Sequence, residues 1–350
     1  MERMDQDLAF MLQYENVAWY ENGTVRILDR RIYPREIKFV VCNTYKEVAK
    51  AIKDMVTQSA GPYTAAGMGM ALAAFEVREK NEAAQLEFLE KAAYDISHAR
   101  PTTANRMGIV TKGCLEAAKK ALSEGKDASE AIFNTTINSL NRRYSTMETV
   151  GEYLADMFPK NGSIMTQCFG ETIIGMMLRA ARKRDNQIKI YCAETRPYLQ
   201  GARLTASCCS GMGFDTTVIT DNMIAYTMQN KNIDLFTSAA DTIAKDGHIA
   251  NKIGTFQIAI LAKHFGIPYF VTGIPDADKE KGSDIVIEER DPKEVLSYGG
   301  MKNTLDGVKG IYPSFDITPP HLISGIVTDK GIFSSYDLKR YFETKSEKFY

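Results

Sequence analysis

From residue 163 onward the chain repeats one pattern: a short β-branched apolar run that ends on polar or charged residues. The runs are SIMTQC ending at Cys168, IYCAETRP with Glu194, TTVITDN with Asp221, LFTSAADT with Asp241, and YFVTGIP. Helical patterns follow the earlier runs, and strand–helix alternation of this kind specifies a parallel sheet with helices packed on it. The pattern predicts strands over 163–166, 188–193, 215–220, 235–239 and 268–272. Helices are predicted over 171–184, 199–209, 221–229 and 255–265, and the polar stretch 276–310 reads as an excursion over the surface. In an open parallel sheet the carboxyl ends of the strands share one edge, where ligands bind. Cys168, Glu194, Asp221 and Asp241 are therefore expected to converge, which suggests an enzyme handling a sugar or a phosphate.

The first 150 residues read differently. VAWY and TVRIL flank Asn22-Gly23, a pair suited to the positive φ angles of a tight hairpin turn, and IKFVVC (37–42) supplies a third strand. Thr44 and Glu47 form a capping-box pattern before a helix whose apolar face carries Val48, Ile52, Met55 and Val56. Asp127 and Glu130 repeat a related pattern, and 65–77, 80–96 and 102–123 are alanine-rich and helical in composition. The expected fold class is α/β, with a smaller N-terminal domain of antiparallel strands and helices (1–150) and a Rossmann-like parallel-sheet domain (151–350).

Lys and Arg number 43 against 44 Asp and Glu, so the charge gives no reason to expect nucleic acid or an anionic membrane as a partner. No apolar run approaches the roughly 18 residues of a membrane span. MERMDQDLAF has no signal-type apolar core, so a cytoplasmic location is expected. Six cysteines without Cys-x-x-Cys spacing, and four histidines without His-Glu-x-x-His, point to neither a disulfide framework nor structural zinc. No metal or organic cofactor is expected. Gly61 to Gly69 could bring backbone close to a ligand, but Leu72 breaks a dinucleotide fingerprint, which disfavours a nicotinamide-dependent oxidoreductase.

Cys168, where a strand gives way to a helix, is either a reactive thiol of lowered pKa or an inert buried cysteine. Asp241, flanked by Ala239, Ala240 and Ile243, is either an acid holding its proton in apolar surroundings or the N-cap of a following helix. Asp221 is well explained as a cap. Arg100, before Pro101, and Asn251-Lys252, before Thr255, each combine a helix start with a polar or cationic group suited to phosphate.

These pieces, in this order, resemble the methylthioribose-1-phosphate isomerase family, which groups with ribose-1,5-bisphosphate isomerases and regulatory subunits of the translation initiation factor exchange complex. The matching strings are LDRR (28–31), RPTTAN (100–105), ETRPYLQGARLTA (194–206), ANKIGT (250–255), IEERDP (287–292) and FDITPPHLISGIVTDKGI (315–332). The resemblance implies Cys168 and Asp241 as catalytic residues, and Arg100, Gln200, Asn251 and Lys252 as residues that hold a sugar phosphate. It also implies a homodimer without cofactor. Tyr63, Met68 and Phe169 are candidates for an apolar pocket around the sugar's 5-substituent.

The chain departs from the family pattern at the site. It has Gln167-Cys168-Phe169-Gly170-Glu171 where Thr-x-Cys-Asn-Thr-Gly is usual, and Gln58-Ser-Ala-Gly-Pro62 where Arg-Gly-Ala-Pro is usual. No arginine lies between Arg35 and Arg78, so one phosphate-binding arginine is missing. Asp241-Thr242 replaces Asp-Arg, and Asp246-Gly-His248 replaces Asn-Gly-Asp. The implied reaction converts a 5-modified ribose 1-phosphate to the ribulose 1-phosphate, with 5-deoxyribose 1-phosphate and ribose 1,5-bisphosphate as alternative substrates. Protonated Asp241 would open the ring and a Cys168 thiolate would move the C2 proton, with a hydride shift as rival. A non-catalytic sugar-phosphate or nucleotide sensor is the alternative of another class.

Overall fold

The structure, a computed structural model, describes residues 3–100 and 104–344. Residues up to Thr146 gather into one compact unit and those from Met147 into another.

In the N-terminal unit a helical turn, α1 (Tyr14–Val17), leads into β1 (Ala18–Glu21), β2 (Thr24–Leu28) and β3 (Phe39–Cys42). They form an antiparallel sheet in that order. Asn22 and Gly23 turn the hairpin with φ of 49° and 76°, the left-handed pair that a two-residue loop requires. Thr44 and Glu47 close a capping box on α2 (Tyr45–Lys53). That helix buries Val48 and Ile52 but stops before Met55 and Val56, and Met55 takes a φ of 61° in the turn beyond. Next come α3 (Gly61–Glu76), α4 (Glu82–Ser97), α5 (Ala104–Ser123) and α6 (Ala128–Ala155). Asp127 starts α6 by accepting the backbone N–H groups of Ser129 and Glu130.

Every residue of α3 from Gly61 to Ala74 is buried. A helix apolar on all sides has to be packed on all sides. A Cβ on Gly67 would lie 2.5 Å from Thr136 Oγ1, and one on Gly69 would lie 2.8 Å from Val48 Cγ1. These glycines admit neighbouring side chains, not the ligand expected from the sequence.

The second unit contains the predicted alternation: β4 (Ser163–Gln167), α7 (Thr172–Lys183), β5 (Lys189–Ala193), a π-turn at Gly201–Thr205 running into α8 (Ala206–Gly211), and β6 (Asp215–Ile219). α9 (Ile224–Asn230) and β7 (Leu235–Ala239) follow. The chain then makes two strands the sequence reading lacked, β8 (Thr242–Ile243) and β9 (Ile249–Lys252), before α10 (Thr255–His264) and β10 (Tyr269–Thr272). A small hairpin of β11 (Ser297–Tyr298) and β12 (Met301–Lys302) precedes β13 (Phe315–Thr318), β14 (Gly325–Thr328), β15 (Gly331–Phe333) and α11 (Lys339–Glu343).

The large sheet has seven strands in the order β15-β14-β10-β7-β4-β5-β6. All neighbours are parallel except β14 and β15. From β4 the chain builds outward through β5 and β6, then returns to add β7 on the other side of β4. The strand order therefore reverses between β4 and β7, the position at which open α/β sheets leave a ligand crevice. Packing fixes this centre. Phe236 and Tyr269, both essentially without exposure, stack at 4.3 Å, and each such side chain contributes roughly 1.5–3 kcal/mol when buried. Tyr269 Oη meets Ser238 Oγ at 2.6 Å, so the buried hydroxyl is satisfied. β8, β9 and β13 make a separate antiparallel sheet that continues directly from the end of β7.

Candidate active site

The chain is strained where β4 and β5 end. Cys168 follows β4 with φ of 59°, Glu171 has 50°, and Thr195, two residues past β5, has 64°. Left-handed backbone costs a non-glycine residue on the order of 1–3 kcal/mol, and a β-branched threonine is among the least suited to it. Hydrogen bonds hold the arrangement. Cys168 N–H donates to Thr195 Oγ1 at 2.9 Å, and the Thr205 hydroxyl donates to Cys168 O. Asp221 accepts the N–H groups of Thr195 and Arg196 at 2.9 and 2.7 Å. Asp221 therefore clamps the loop after the neighbouring strand instead of capping its own helix.

A second layer joins this loop to β9. Gln167 Nε2 donates to Lys252 O at 3.0 Å and also to the Thr255 hydroxyl. Asn251 Nδ2 reaches the same hydroxyl at 3.0 Å. Lys252 is buried, with its ammonium 4.5 Å from the centre of the Phe315 ring. The sequence suggested that free amides at the start of α10 would join Lys252 in a phosphate seat. Asp316 occupies them instead, accepting Gly254 N–H at 2.7 Å and Phe256 N–H at 3.0 Å. Burial pushes the Asp316 carboxyl up to about 6 despite those bonds.

Burial likewise pushes the Cys168 thiol up to about 11. Lys252 and the Phe169 N–H oppose the shift, and the charge of Asp241 adds to it. The lowered pKa expected from the sequence is thus reversed. Desolvation outweighs the nearby cation, and α7 begins only at Thr172. Asp241 also departs from expectation. It is exposed, not enclosed by apolar groups, and its N–H donates to Ala250 O at 2.9 Å as the chain passes into β8. With a strand following, it caps no helix. Glu194, on the same edge, is raised by burial first and by Asp221 second.

Cys168, Asp241, Asn251 and Lys252 are thus brought together at the switch between β4 and β7. Phe169, buried, adjoins the thiol. Gln200, also buried, immediately precedes the turn that carries Thr205, and among the described residues its Oε1 has no hydrogen-bond partner. Arg100, Tyr63 and Met68 belong to the N-terminal unit. Arg100 is half-buried, and residues 101–103, the rest of its predicted phosphate seat, lie outside the described residues. Tyr63 sits with the Arg143 guanidinium 6.0 Å from its ring centre. Met68 has no accessible surface, so it is a packing residue of α3 and not a pocket wall.

Sequence reasoning missed Gln167, Thr195, Thr205, Thr255 and Asp316, whose roles arise from contacts between distant segments. The stretch 276–310 is the surface excursion expected, but parts of it reach the strand ends. Much of that segment is exposed, but Arg196 Nη2 donates to Ser297 O at 3.0 Å, and Glu294 lies within the field of Lys252, its carboxyl raised chiefly by burial. Among the described residues no group of three or more His, Cys, Asp or Glu could hold a metal ion, and no helix is long and apolar enough to cross a membrane.

Residues 58–335 match the model of the initiation factor 2 subunit family. The chain belongs to that family. A methylthioribose-1-phosphate isomerase of Desulforamulus reducens is 34% identical over 340 residues, covering 91% of this chain and 95% of the relative. The crystal structure of 5-methylthioribose 1-phosphate isomerase from Pyrococcus horikoshii matches with a TM-score of 0.83 and 32% identity, covering 96% of this chain and 99% of that one. The translation initiation factor eIF-2B subunit delta of A. fulgidus matches at 0.81 with 27% identity, over 94% and 99%. The mixed α/β fold with its largely parallel sheet is shared with the isomerase structure.

Proposed function

We propose that this chain is an aldose–ketose isomerase that converts 5-methylthioribose 1-phosphate to 5-methylthioribulose 1-phosphate, a step of methionine salvage. The observation that carries this reading is the juxtaposition of Cys168 and Asp241 across the β4–β7 switch. Support comes from relatives that bear the isomerase's name and match nearly end to end. A purely sensing protein has no use for a strained, half-buried thiol within the field of a carboxylate. We read the units as a sheet-plus-helix domain (1–150) and a Rossmann-like catalytic domain (151–350), acting as a cytoplasmic homodimer without cofactor. Exposed apolar side chains at Val286, Met301, Leu305 and Ile311 favour a covered surface of the kind a second copy would supply.

The chemistry must open a ring whose anomeric oxygen is blocked by phosphate. The C1–O4 bond breaks, O4 takes a proton, hydrogen moves from C2 to C1, and the C2 hydroxyl loses its proton. Cys168 holds its proton at neutral pH, so it is the donor to O4. Asp241, open to solvent, takes the proton from the C2 hydroxyl and releases it to water, from which the Cys168 thiolate is reprotonated, so both groups end the turnover as they began it. With no thiolate at the outset, hydrogen moves from C2 to C1 as hydride. Gln200, Asn251 and Lys252 hold the sugar phosphate in the second unit. Phe169, next to the thiol in the chain, is the candidate in this unit for contact with the 5-substituent.

Incubation with 5-methylthioribose 1-phosphate should produce a C2 ketone visible by NMR, faster than with 5-deoxyribose 1-phosphate or ribose 1,5-bisphosphate. Absence of ketone from all three would refute the reading. Deuterium placed at C2 should appear at C1, and its loss to solvent would rule out the hydride route.

A further inference from the structure

Tyr312 lies in the stretch that enters β13 and is only 2% exposed. Backbone bonds fix its position. Arg290 N–H donates to Tyr312 O at 2.9 Å, Ser314 N–H to Glu288 O at 2.8 Å, and Ile253 N–H to Ser314 O at 3.1 Å. This ladder lays residues 312–314 beside Ile253, next to the Lys252 carbonyl that Gln167 binds, and Gln167 is the residue before Cys168. The groups acting on the Tyr312 hydroxyl are Glu294, Arg290, Cys168 and Tyr198. Its hydroxyl therefore lies within the electrostatic reach of the Cys168 thiol, on the segment laid beside Ile253. A phenol in that position can donate to an oxygen of a bound substrate. Burial pushes it up to about 12, which keeps the proton on it through the neutral range.

We propose that Tyr312 is a further catalytic residue, whose hydroxyl donates a hydrogen bond to the C2 oxygen of the sugar as the carbonyl forms there. This rests on the isomerase reading. Negative charge builds on the C2 oxygen as its proton leaves and before hydride departs from C2. A preorganised donor in a water-poor site stabilises that charge more than it stabilises the bound sugar. No bond to Tyr312 is made or broken, and the phenol ends each turnover as it began.

The test begins with turnover of 5-methylthioribose 1-phosphate by the unaltered enzyme. If there is none, the isomerase reading fails and this role fails with it. Given turnover, Tyr312→Phe should lower kcat by about 100-fold while KM stays within about threefold, the pattern of a donor used mainly in the transition state. A kcat within about twofold of the unaltered enzyme, or a loss confined to KM, overturns the proposal. Site-specific 3,5-difluorotyrosine at 312 keeps the shape and hydroxyl but makes the phenol more acidic, so it tests the idea even if the phenylalanine variant folds poorly. The basic limb of kcat should then move to lower pH, because deprotonation removes the donor. An unmoved basic limb overturns the proposal.

Discussion

α3 and the strand ends at the β4–β7 switch are both withdrawn from solvent, and they are built on opposite chemistry. α3 buries chiefly alanine, methionine and glycine, and past its first turn, where Thr64 accepts from Arg143 Nη2 at 2.9 Å, its glycines meet the side chains of Thr136 and Val48. The strand ends bury Gln167, Thr195, Thr205, Asn251 and Lys252, tied to one another by hydrogen bonds and carrying left-handed backbone at three non-glycine residues. Burial of the first kind holds the chain together. Burial of the second kind is costly unless every partner is present, and it is maintained where a reaction needs fixed groups out of water. Mutations should therefore separate cleanly, with stability failing in α3 and rate failing at the strand ends.

Cys168→Ser gives the largest effect in that contrast. Turnover should drop by about 10²–10⁴-fold, the range for loss of a positioned proton donor, with thermal unfolding close to that of the parent. Met68→Ala reverses the pattern. Unfolding in urea should show a loss of about 2–4 kcal/mol, with kcat per folded molecule unchanged. A Met68→Ala enzyme that is stable but slow would break the comparison. Thr195→Ala falls between the two. It removes the acceptor for Cys168 N–H, so about tenfold in kcat and about 1–2 kcal/mol in stability should be lost together. The smallest effect sharpens the electrostatics of the strand ends. Alkylation of Cys168 by iodoacetamide should rise with pH toward an apparent pKa of about 11. Lys252→Met should move that profile upward because a favourable cation is lost, and Asp241→Asn should move it downward because a like charge is lost. Shifts of opposite sign to these would show that the thiol does not feel those two groups.

Local signals proved legible. Asn22-Gly23 and Thr44 with Glu47 each specify a turn or a cap within a few residues, and both are formed. The strands β4 to β7 and β10 follow from apolar runs bounded by polar residues, and the convergence of their ends follows from the sheet being parallel. What stayed illegible depends on partners far along the chain. Asp316 gives no local sign that it will cap α10 some 60 residues earlier, and Asp221 looks like an N-cap until Thr195 and Arg196 present their N–H groups to it. β8, β9 and β13 are too short to show alternation, and β14 and β15 lay within a stretch read only for its family string. The sign of the Cys168 shift was missed for the same reason. Position beside a helix suggested a thiolate, while burial by residues from other segments decided the outcome.

The carboxylate of Asp316 on the amides that open α10 has a consequence for how this protein can change. That helix end is closed to anions, so in the proposed isomerase the grip on the phosphate on this side of the crevice would fall to the neighbouring lysine side chain. One nucleotide separates an aspartate codon from a glycine codon. Along a lineage, that single drift event would return the backbone amides to service and open a path by which a descendant could dispense with the ammonium.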